Sequence, residues 1–447
     1  MLFDLNRPVS HVGNYSIVRL QGIGYQEAIE ATYSEAPLLA DKPYPQQLET
    51  ILSKKLSHAG GFVKAMASLG NEATEILYDC EPLQLAWARE RGIPTHGKNW
   101  QTNILLEQLR EISPDVVLFQ DIFSMPAAMR ARIKDLVPGI RLTIIAKGYP
   151  GETRDLSDSD LLFVSSPVLL DRYAQLNPFL VYHAFDDDIL TTLDDIDFGP
   201  MATRYQFSFL GNCRAPERRY WMLKKLLEET ELQIWGVEEN VKYSRWGIPK
   251  NQKQLKKIAR DGLKYLLSRL GSYSLHALEK FPISRKIHNL IDEINVEGQK
   301  VDDRRSLTGL DPGGVAKKTL RQAYPEKFHD PVFGIPYYHR VSNSDVVFNL
   351  HSDAAGMTVD NMKMFEITGV GSCLLTNMGS NLGDLFELDK EVVTYETVGE
   401  ALEKYQYLKE NPSTRVEIAR AGQIRTLRDH TVSARCEQMN EIIQERL

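Results

Sequence analysis

Short runs of Val, Ile, Leu and Phe recur along the chain, each followed by a turn and then by apolar residues at helical spacing. In the first half these runs are Ser16–Leu20, Ala73–Tyr78, Val116–Gln120, Leu142–Ala146, Leu161–Val164 and Phe179–Tyr182. They lack strict alternation of apolar and polar positions, which is how strands covered on both faces read. Helices are expected between them, at Gly61–Leu69, Trp100–Glu111 and Pro126–Leu136. The second half restarts the pattern with strands at Tyr205–Leu210, Glu231–Trp235, Asp345–Leu350, Ser372–Thr376 and Glu391–Tyr395. Its helices fall at Glu217–Glu229, Val359–Thr368, Val398–Glu410 and Pro412–Asp429. Alternating strands and helices predict open parallel sheets with helices on both sides. The expected fold class is therefore α/β, with two doubly wound domains.

The expected division is 1–195 for the first domain, 196–430 for the second and 431–447 for a closing helix. The boundary is taken at Asp186-Asp187-Asp188 and the acidic stretch after it, read as a solvated linker. The strand-helix rhythm breaks at about 237–330, where the pattern is mostly helical, as an insertion in the second domain would be. From Lys242 to Lys327 there are 19 Lys and Arg against 9 Asp and Glu, in a chain whose net charge is −7. Two readings of this basic segment stand: a solvated helical subdomain, or a platform for an anionic partner such as a membrane surface or a charged acceptor. A charge so localised in an acidic chain argues against a nucleic-acid binder.

Hydrophobic residues make up 43% and charged residues 25% of the 447, which excludes disorder as the main state. No run of about 18 apolar residues occurs and mean hydropathy is −0.32, so no membrane span is expected. Cys80, Cys213, Cys373 and Cys436 lie far apart without a CxxC pair and read as reduced thiols of a cytoplasmic protein, not as a zinc site.

The richest segment is Phe348–Thr376, FNLHSDAAGMTVDNMKMFEITGVGSCLLT. A strand ends near Leu350, a small-residue loop runs from His351 to Gly356, and a helix is expected from Val359. Free N–H groups at a helix start bind anions. Lys363 adds a point charge suited to a diphosphate, and the ionised carboxylate of Glu366 suits two ribose hydroxyls. His351 follows a strand at the head of this loop and is a candidate contact to a bound phosphate. Asn361 is either a ligand contact or a helix cap.

The pattern N-x-K-x-F-E-x-x-G-x-G-x-x-L-L-T at Asn361–Thr376 resembles the C-terminal signature of GT-B glycosyltransferases of the group 1 type, most closely the branch related to the spore-maturation protein CgeB. Lys363 stands where that branch has Arg. The wider group often carries two glutamates eight residues apart; the second matches Glu366, and the first position is Thr358 here. FSFLGNCRAPERR at Phe207–Arg219 resembles the first strand and loop of the nucleotide-binding domain, which implies that Gly211, Arg214, Arg218 and Arg219 lie by the donor diphosphate. QIWG at Gln233–Gly236 matches the next strand and implies Gly236 near the nucleobase. The resemblance implies two Rossmann-like domains facing a cleft. It also implies sugar transfer from a nucleotide-diphosphate donor to an acceptor hydroxyl of a glycan, lipid-linked molecule or protein, retaining and independent of metal and cofactor. The expected location is cytoplasmic; under the platform reading of the basic segment the protein would also contact the inner membrane face peripherally.

A general base, where one is needed, belongs to the first domain. Asp121, directly after a strand, and His58, before Gly60-Gly61, are the candidates. Asp158-Ser159-Asp160 matches a DxD string but leads into a strand, so turn or cap chemistry is expected there. Two alternatives stand beside transfer: a nucleotide-sugar epimerase on the same fold, and a binding scaffold that has lost catalysis.

Overall fold

The computed structural model describes residues 14–56, 60–95, 99–151, 154–196, 204–213, 217–238, 319–359 and 361–447. Residues 1–238 and 324–447 form one compact unit and residues 239–323 another. The expected basic insertion falls almost wholly outside the described residues.

The main unit holds two parallel six-stranded sheets. The first contains β1 (Ser16–Gln21), β2 (Glu72–Leu77), β3 (Val116–Phe119), β4 (Leu142–Lys147), β5 (Leu161–Val164) and β6 (Phe179–Leu180), in the order β2-β1-β3-β4-β5-β6. The second contains β7 (Tyr205–Asn212), β8 (Gln233–Val237), β9 (Phe328–His329), β10 (Ser344–Asn349), β11 (Cys373–Asn377) and β12 (Val393–Tyr395), in the order β12-β11-β10-β7-β8-β9. Chain order reverses between β1 and β3 in the first sheet and between β7 and β10 in the second. These are the points where open α/β sheets bind ligands, at the carboxyl ends of the strands.

The strands are apolar because helices cover both faces. All four residues of β3 are buried, Val117 and Phe119 toward one helical layer, Val116 and Leu118 toward the other. The second layer comprises α1 (Gly61–Ser68) and the final helix. In the second half lie α2 (Glu217–Glu229), α3 (Ile335–Ser342) and α4 (Lys363–Gly369); α3 packs against β7 and β10, and α4 against β10. The last helix, α5 (Val432–Gln444), is capped by Thr431, whose hydroxyl accepts from the Ala434 N–H. It returns to the first sheet and buries Val432, Cys436 and Ile443 there. Tyr15 donates to Asn440 Oδ1 at 2.8 Å across this contact. Burying each large aliphatic side chain contributes about 1.5–3 kcal/mol, which fixes the helix to the first half.

Three expectations need correction. The helix expected from Val359 begins at Lys363. Asn381 takes the Val359 N–H at 2.8 Å and its carbonyl at 3.0 Å, so Val359 is paired as in a strand and cannot start a helix. The helix expected at Pro126–Leu136 is two short helices, Ala127–Arg130 and Ile133–Leu136. Arg130 turns inward to Asp158 at 2.7 Å and to the carbonyls of Ile122 and Met125. Third, Asp186 is not a solvated linker residue. It is buried and pairs with Lys55 Nζ at 2.8 Å, while Asp188 opens a helix running to Asp194.

Loops at the carboxyl ends of the two sheets meet. Ser166, after β5, contacts Thr358, after β10. Tyr25, after β1, packs its ring 4.9 Å from that of Phe333, after β9. Phe185 and Thr431 pair as a bridge where the chain passes between halves.

Candidate functional site

The second switch point gathers most of the donor-side candidates. Gly211 and Asn212 end β7, His351 follows β10, and Arg219 lies in the first turn of α2. The Arg219 guanidinium donates to Asn212 O at 2.9 Å and to Leu350 O at 3.1 Å, tying the ends of β7 and β10 together. Its charge bears on both His351 and Lys363. Lys363 donates to the Leu210 carbonyl and stands 5.7 Å from the Phe209 ring centroid. Burial lowers its pKa to about 8, with Glu366 pulling the other way and Arg219 reinforcing the fall.

Two glycines make room for this. A Cβ on Gly236 would lie 2.6 Å from Cys213 Sγ and 2.9 Å from Gly211 O. Gly211 has φ +151° and packs directly against the Lys363 ammonium. Gly236 is thus placed at the end of β8, beside the Gly211 turn.

His351 is buried, and burial, helped by Arg219, pushes its pKa down to about 3, so the ring is neutral. Thr376 Oγ1 accepts from the Asn349 amide at 3.0 Å and lies 3.2 Å from His351 Nε2, which the Asn349 amide also reaches at 3.3 Å. With the Asn349 amide as donor, Nε2 accepts and the proton sits on Nδ1. That Nδ1 is buried and has no hydrogen-bond partner among the described residues. A buried N–H left this way costs about 1–3 kcal/mol, which a ligand oxygen would recover.

Asn361 joins the same network: its amide donates to Asn349 Oδ1 at 3.0 Å, and its Oδ1 accepts from the Met364 N–H at 3.3 Å. It therefore acts as a cap for α4 and braces His351 through Asn349. Glu366, one turn beyond Lys363, is buried and accepts from Tyr337 Oη at 2.8 Å and Tyr338 Oη at 3.2 Å. Burial raises its pKa, against the lowering effects of Tyr337, Lys363 and Tyr338. Arg218 sits beside Arg219 on an exposed face, and its charge reaches Tyr395. Arg214 lies outside the described residues. Sequence reasoning missed Tyr337, Tyr338, Asn349 and Thr376; the paired tyrosines of YYHR were the available signal.

The first switch point carries the acceptor-side candidate. Asp121 follows β3, and a Cβ on Gly22 would lie 2.8 Å from its Oδ2. Both carboxylate oxygens are engaged, Oδ1 by the Phe123 N–H at 2.7 Å and Oδ2 by Tyr78 Oη at 3.0 Å. Asp79, unforeseen in the sequence, accepts from Ile23 and Gly24 N–H groups at 2.9 Å each, and its pKa is raised by burial. His58 lies outside the described residues. The Asp158-Ser159-Asp160 string is structural: Asp158 pairs with Arg130, and Asp160 accepts from the Thr143 N–H at 2.7 Å. No group of three His, Cys, Asp or Glu able to hold a metal ion occurs among the described residues.

Residues 290–441 match the protein family described as glycosyl transferase-like. No curated protein matches the sequence. Solved structures share the architecture, and two of them serve as examples. HepE from Anabaena, crystallised with UDP-glucose, superposes with a TM-score of 0.51 at 11% identity, covering 97% of this chain and 100% of its own. A glycosyltransferase from Rickettsia africae gives 0.51 at 8% identity, covering 97% and 99%. The chain has the GT-B fold, with a glycosyltransferase-like domain in its carboxy-terminal half. Among the described residues no helix is long and apolar enough to cross a membrane.

Proposed function

We propose that the protein is a glycosyltransferase that moves a sugar from a nucleotide-diphosphate donor to an acceptor hydroxyl. The observation that carries this is the convergence at the β7/β10 switch point of the His351 Nδ1–H, the Lys363 ammonium and the Arg219 guanidinium. Breaking the anomeric C–O bond leaves growing negative charge on the departing phosphate. Fixed donors and cations in a site of low dielectric stabilise that charge. Lys363 exchanges the Leu210 carbonyl for a phosphate oxygen, and the His351 Nδ1–H gains an acceptor. Glu366, already an acceptor of two phenolic hydroxyls, takes the ribose hydroxyls.

In this reading Lys363 and Arg219 supply the charge neutralisation, without a metal. Retention of anomeric configuration follows from the resemblance to group 1 enzymes, and the spacing from Asn361 to Thr376 supports the CgeB-related branch within them. Asp121 then positions the acceptor through its fixed carboxylate and takes no proton. The acceptor is a glycan, a lipid-linked molecule or a protein side chain. HepE is a complex with UDP-glucose, which makes a uridine-diphosphate sugar the first donor to try.

The test is product analysis after incubation with UDP-glucose, GDP-mannose and dTDP-glucose and a panel of sugar and lipid acceptors. Transfer yields a glycoside and the free nucleoside diphosphate. Release of an epimerised nucleotide sugar, or no turnover of any donor that binds, would overturn the assignment.

A further inference from the structure

Glu366 is held by two consecutive residues of one helix. Tyr337 Oη donates to Glu366 Oε2 at 2.8 Å, and Tyr338 Oη donates to Oε1 at 3.2 Å. Neighbouring side chains leave a helix about 100° apart and do not ordinarily share a target. Here the two rings stand edge to face, with centroids 5.1 Å apart and planes at 78°, and one hydroxyl reaches each oxygen. A carboxylate oxygen accepts about two hydrogen bonds, so each keeps capacity for one more. A ribose offers two adjacent hydroxyls to fill it.

The first half of the chain fixes the start of α3. The Ile335 N–H donates to Lys54 O at 3.2 Å. A Cβ on Gly334 would lie 2.1 Å from that oxygen, and its φ of +60° also suits glycine. The Phe185 ring meets that of Tyr338 edge-on at 6.3 Å. Tyr338 is buried and Tyr337 half-buried.

Few charges surround the carboxylate. Tyr337, Lys363 and Tyr338 favour its ionised form against burial. Asp186 bears on Tyr338, and Tyr25 on both phenols. The strands beneath α4 face it with apolar side chains, Val347 of β10 and Leu374 of β11. The helix Pro412–Asp429 meets α4 through neutral groups, Thr426 on Thr368 at 2.6 Å and Gln423 on the Gly369 carbonyl at 3.1 Å. The His430 ring lies 4.8 Å from that of Phe365. Burial and the charge of Glu366 push both phenols well above the usual tyrosine range, so they stay protonated and remain donors.

We propose that Tyr337 and Tyr338 are positioning residues for the nucleotide: their hydroxyls hold Glu366 as a fixed pair of acceptors for the ribose diol. The inference rests on the donor reading and names the groups that make Glu366 competent in it. Burial by itself favours the neutral acid, which presents a proton where the ribose needs an acceptor. Two neutral donors oppose this and leave the negative charge on the carboxylate for the ribose hydroxyls.

The experiment is calorimetric titration of the full chain with UDP and with 2′,3′-dideoxy-UDP, which lacks the diol, between pH 6 and 8. Wild type should bind UDP about tenfold more tightly than the dideoxy form. Tyr337→Phe and Tyr338→Phe keep the rings and remove the hydroxyls. Removing a phenol bond raises the Glu366 pKa, so the carboxylate is lost progressively as pH falls. Each variant should therefore weaken UDP about tenfold at pH 6 and about threefold at pH 8, against wild type at the same pH. Dideoxy-UDP should bind the variants as it binds wild type. In a Glu366→Gln background the same substitutions should cost less than about twofold. Melting temperatures report folding, and the half-buried Tyr337→Phe decides the matter where Tyr338→Phe does not fold. Equal losses for UDP and dideoxy-UDP, a loss independent of pH, or full additivity with Glu366→Gln would overturn the role of the tyrosines and leave the donor reading standing. No UDP binding by wild type, or equal affinity for the two nucleotides, would overturn the ribose role of Glu366 and this inference with it.

Discussion

The hydroxyls of Ser166 and Thr358 lie 3.1 Å apart, joining the start of a helix in the first half to the donor-side loop of the second. Thr358 also donates to Ala355 O at 2.8 Å, so its hydroxyl proton is committed and Ser166 is the donor across the contact. By the resemblance, Thr358 stands where group 1 enzymes often carry a glutamate; here its hydroxyl makes a contact between the two halves. Ser166→Ala and Thr358→Ala should each destabilise by about 0.5–1.5 kcal/mol, with the double variant losing less than the sum. Urea unfolding of the three variants checks this; strictly additive losses would show that the contact contributes nothing.

Glu366→Gln keeps the shape of the side chain and should leave the melting temperature within a few degrees of wild type. It should remove the stabilisation that a bound nucleotide sugar confers. Tight ligands raise stability by mass action, by about 2.7 kcal/mol at a hundred times Kd. Differential scanning with and without UDP-glucose is the measurement, and an unchanged ligand-induced shift in the variant would remove Glu366 from the site.

Nucleotide affinity should fall as pH rises through about 8. Lys363 is protonated below its lowered pKa and attracts the diphosphate there; above it the ammonium is lost. The isosteric Lys363→Met should bind more weakly at pH 7 and lose this pH dependence. Calorimetry with UDP between pH 6.5 and 9 reads the effect directly.

Gly236→Ala should cost about 1–3 kcal/mol, because its Cβ would press on Cys213 Sγ and the Gly211 carbonyl, and it should weaken UDP binding by displacing the Lys363 shelf. Gly383→Ala, where nothing lies within 4 Å, is the control and should change neither. Thermal melts and calorimetry on the two variants separate the cases.

Acid should destabilise the second half. His351 and His430 are held neutral, with pKa values near 3 and near 4, mainly by burial; Arg219 adds to the first, Arg435 and Arg425 to the second, where the hydrogen bond to the Leu385 carbonyl and the charge of Asp429 oppose. Both lie below the unfolded value, so the folded state binds fewer protons between the two. Stability is then full above about pH 6.5 and falls as pH drops toward 4, by roughly 1 kcal/mol per pH unit for each ring. Urea midpoints at pH 7 and pH 5 test this, and His430→Gln should halve the difference.

Much of the architecture is written in the chain because a strand covered on both faces has no polar positions. Val116–Phe119 and Cys373–Thr376 could be little else. β9, Phe328–His329, is two residues long and leaves no such trace. The start of α4 was misplaced because what stops the helix is Asn381, 22 residues away, gripping Val359. Lys363 and Glu366 were visible as residue types at the right spacing. Their surroundings were not. The tyrosines on Glu366 come from α3, and the proton on His351 Nδ1 follows from Asn349 pairing with Thr376 across β10 and β11. Such partners are set by register and packing, which no local pattern encodes.

A crystal structure of the protein soaked with UDP-glucose tests the central claim most directly. The account predicts the diphosphate within hydrogen-bonding distance of His351 Nδ1 and Lys363 Nζ, with the ribose on Glu366. A nucleotide bound against the first sheet, or one leaving the end of β7 and β10 untouched, would contradict it.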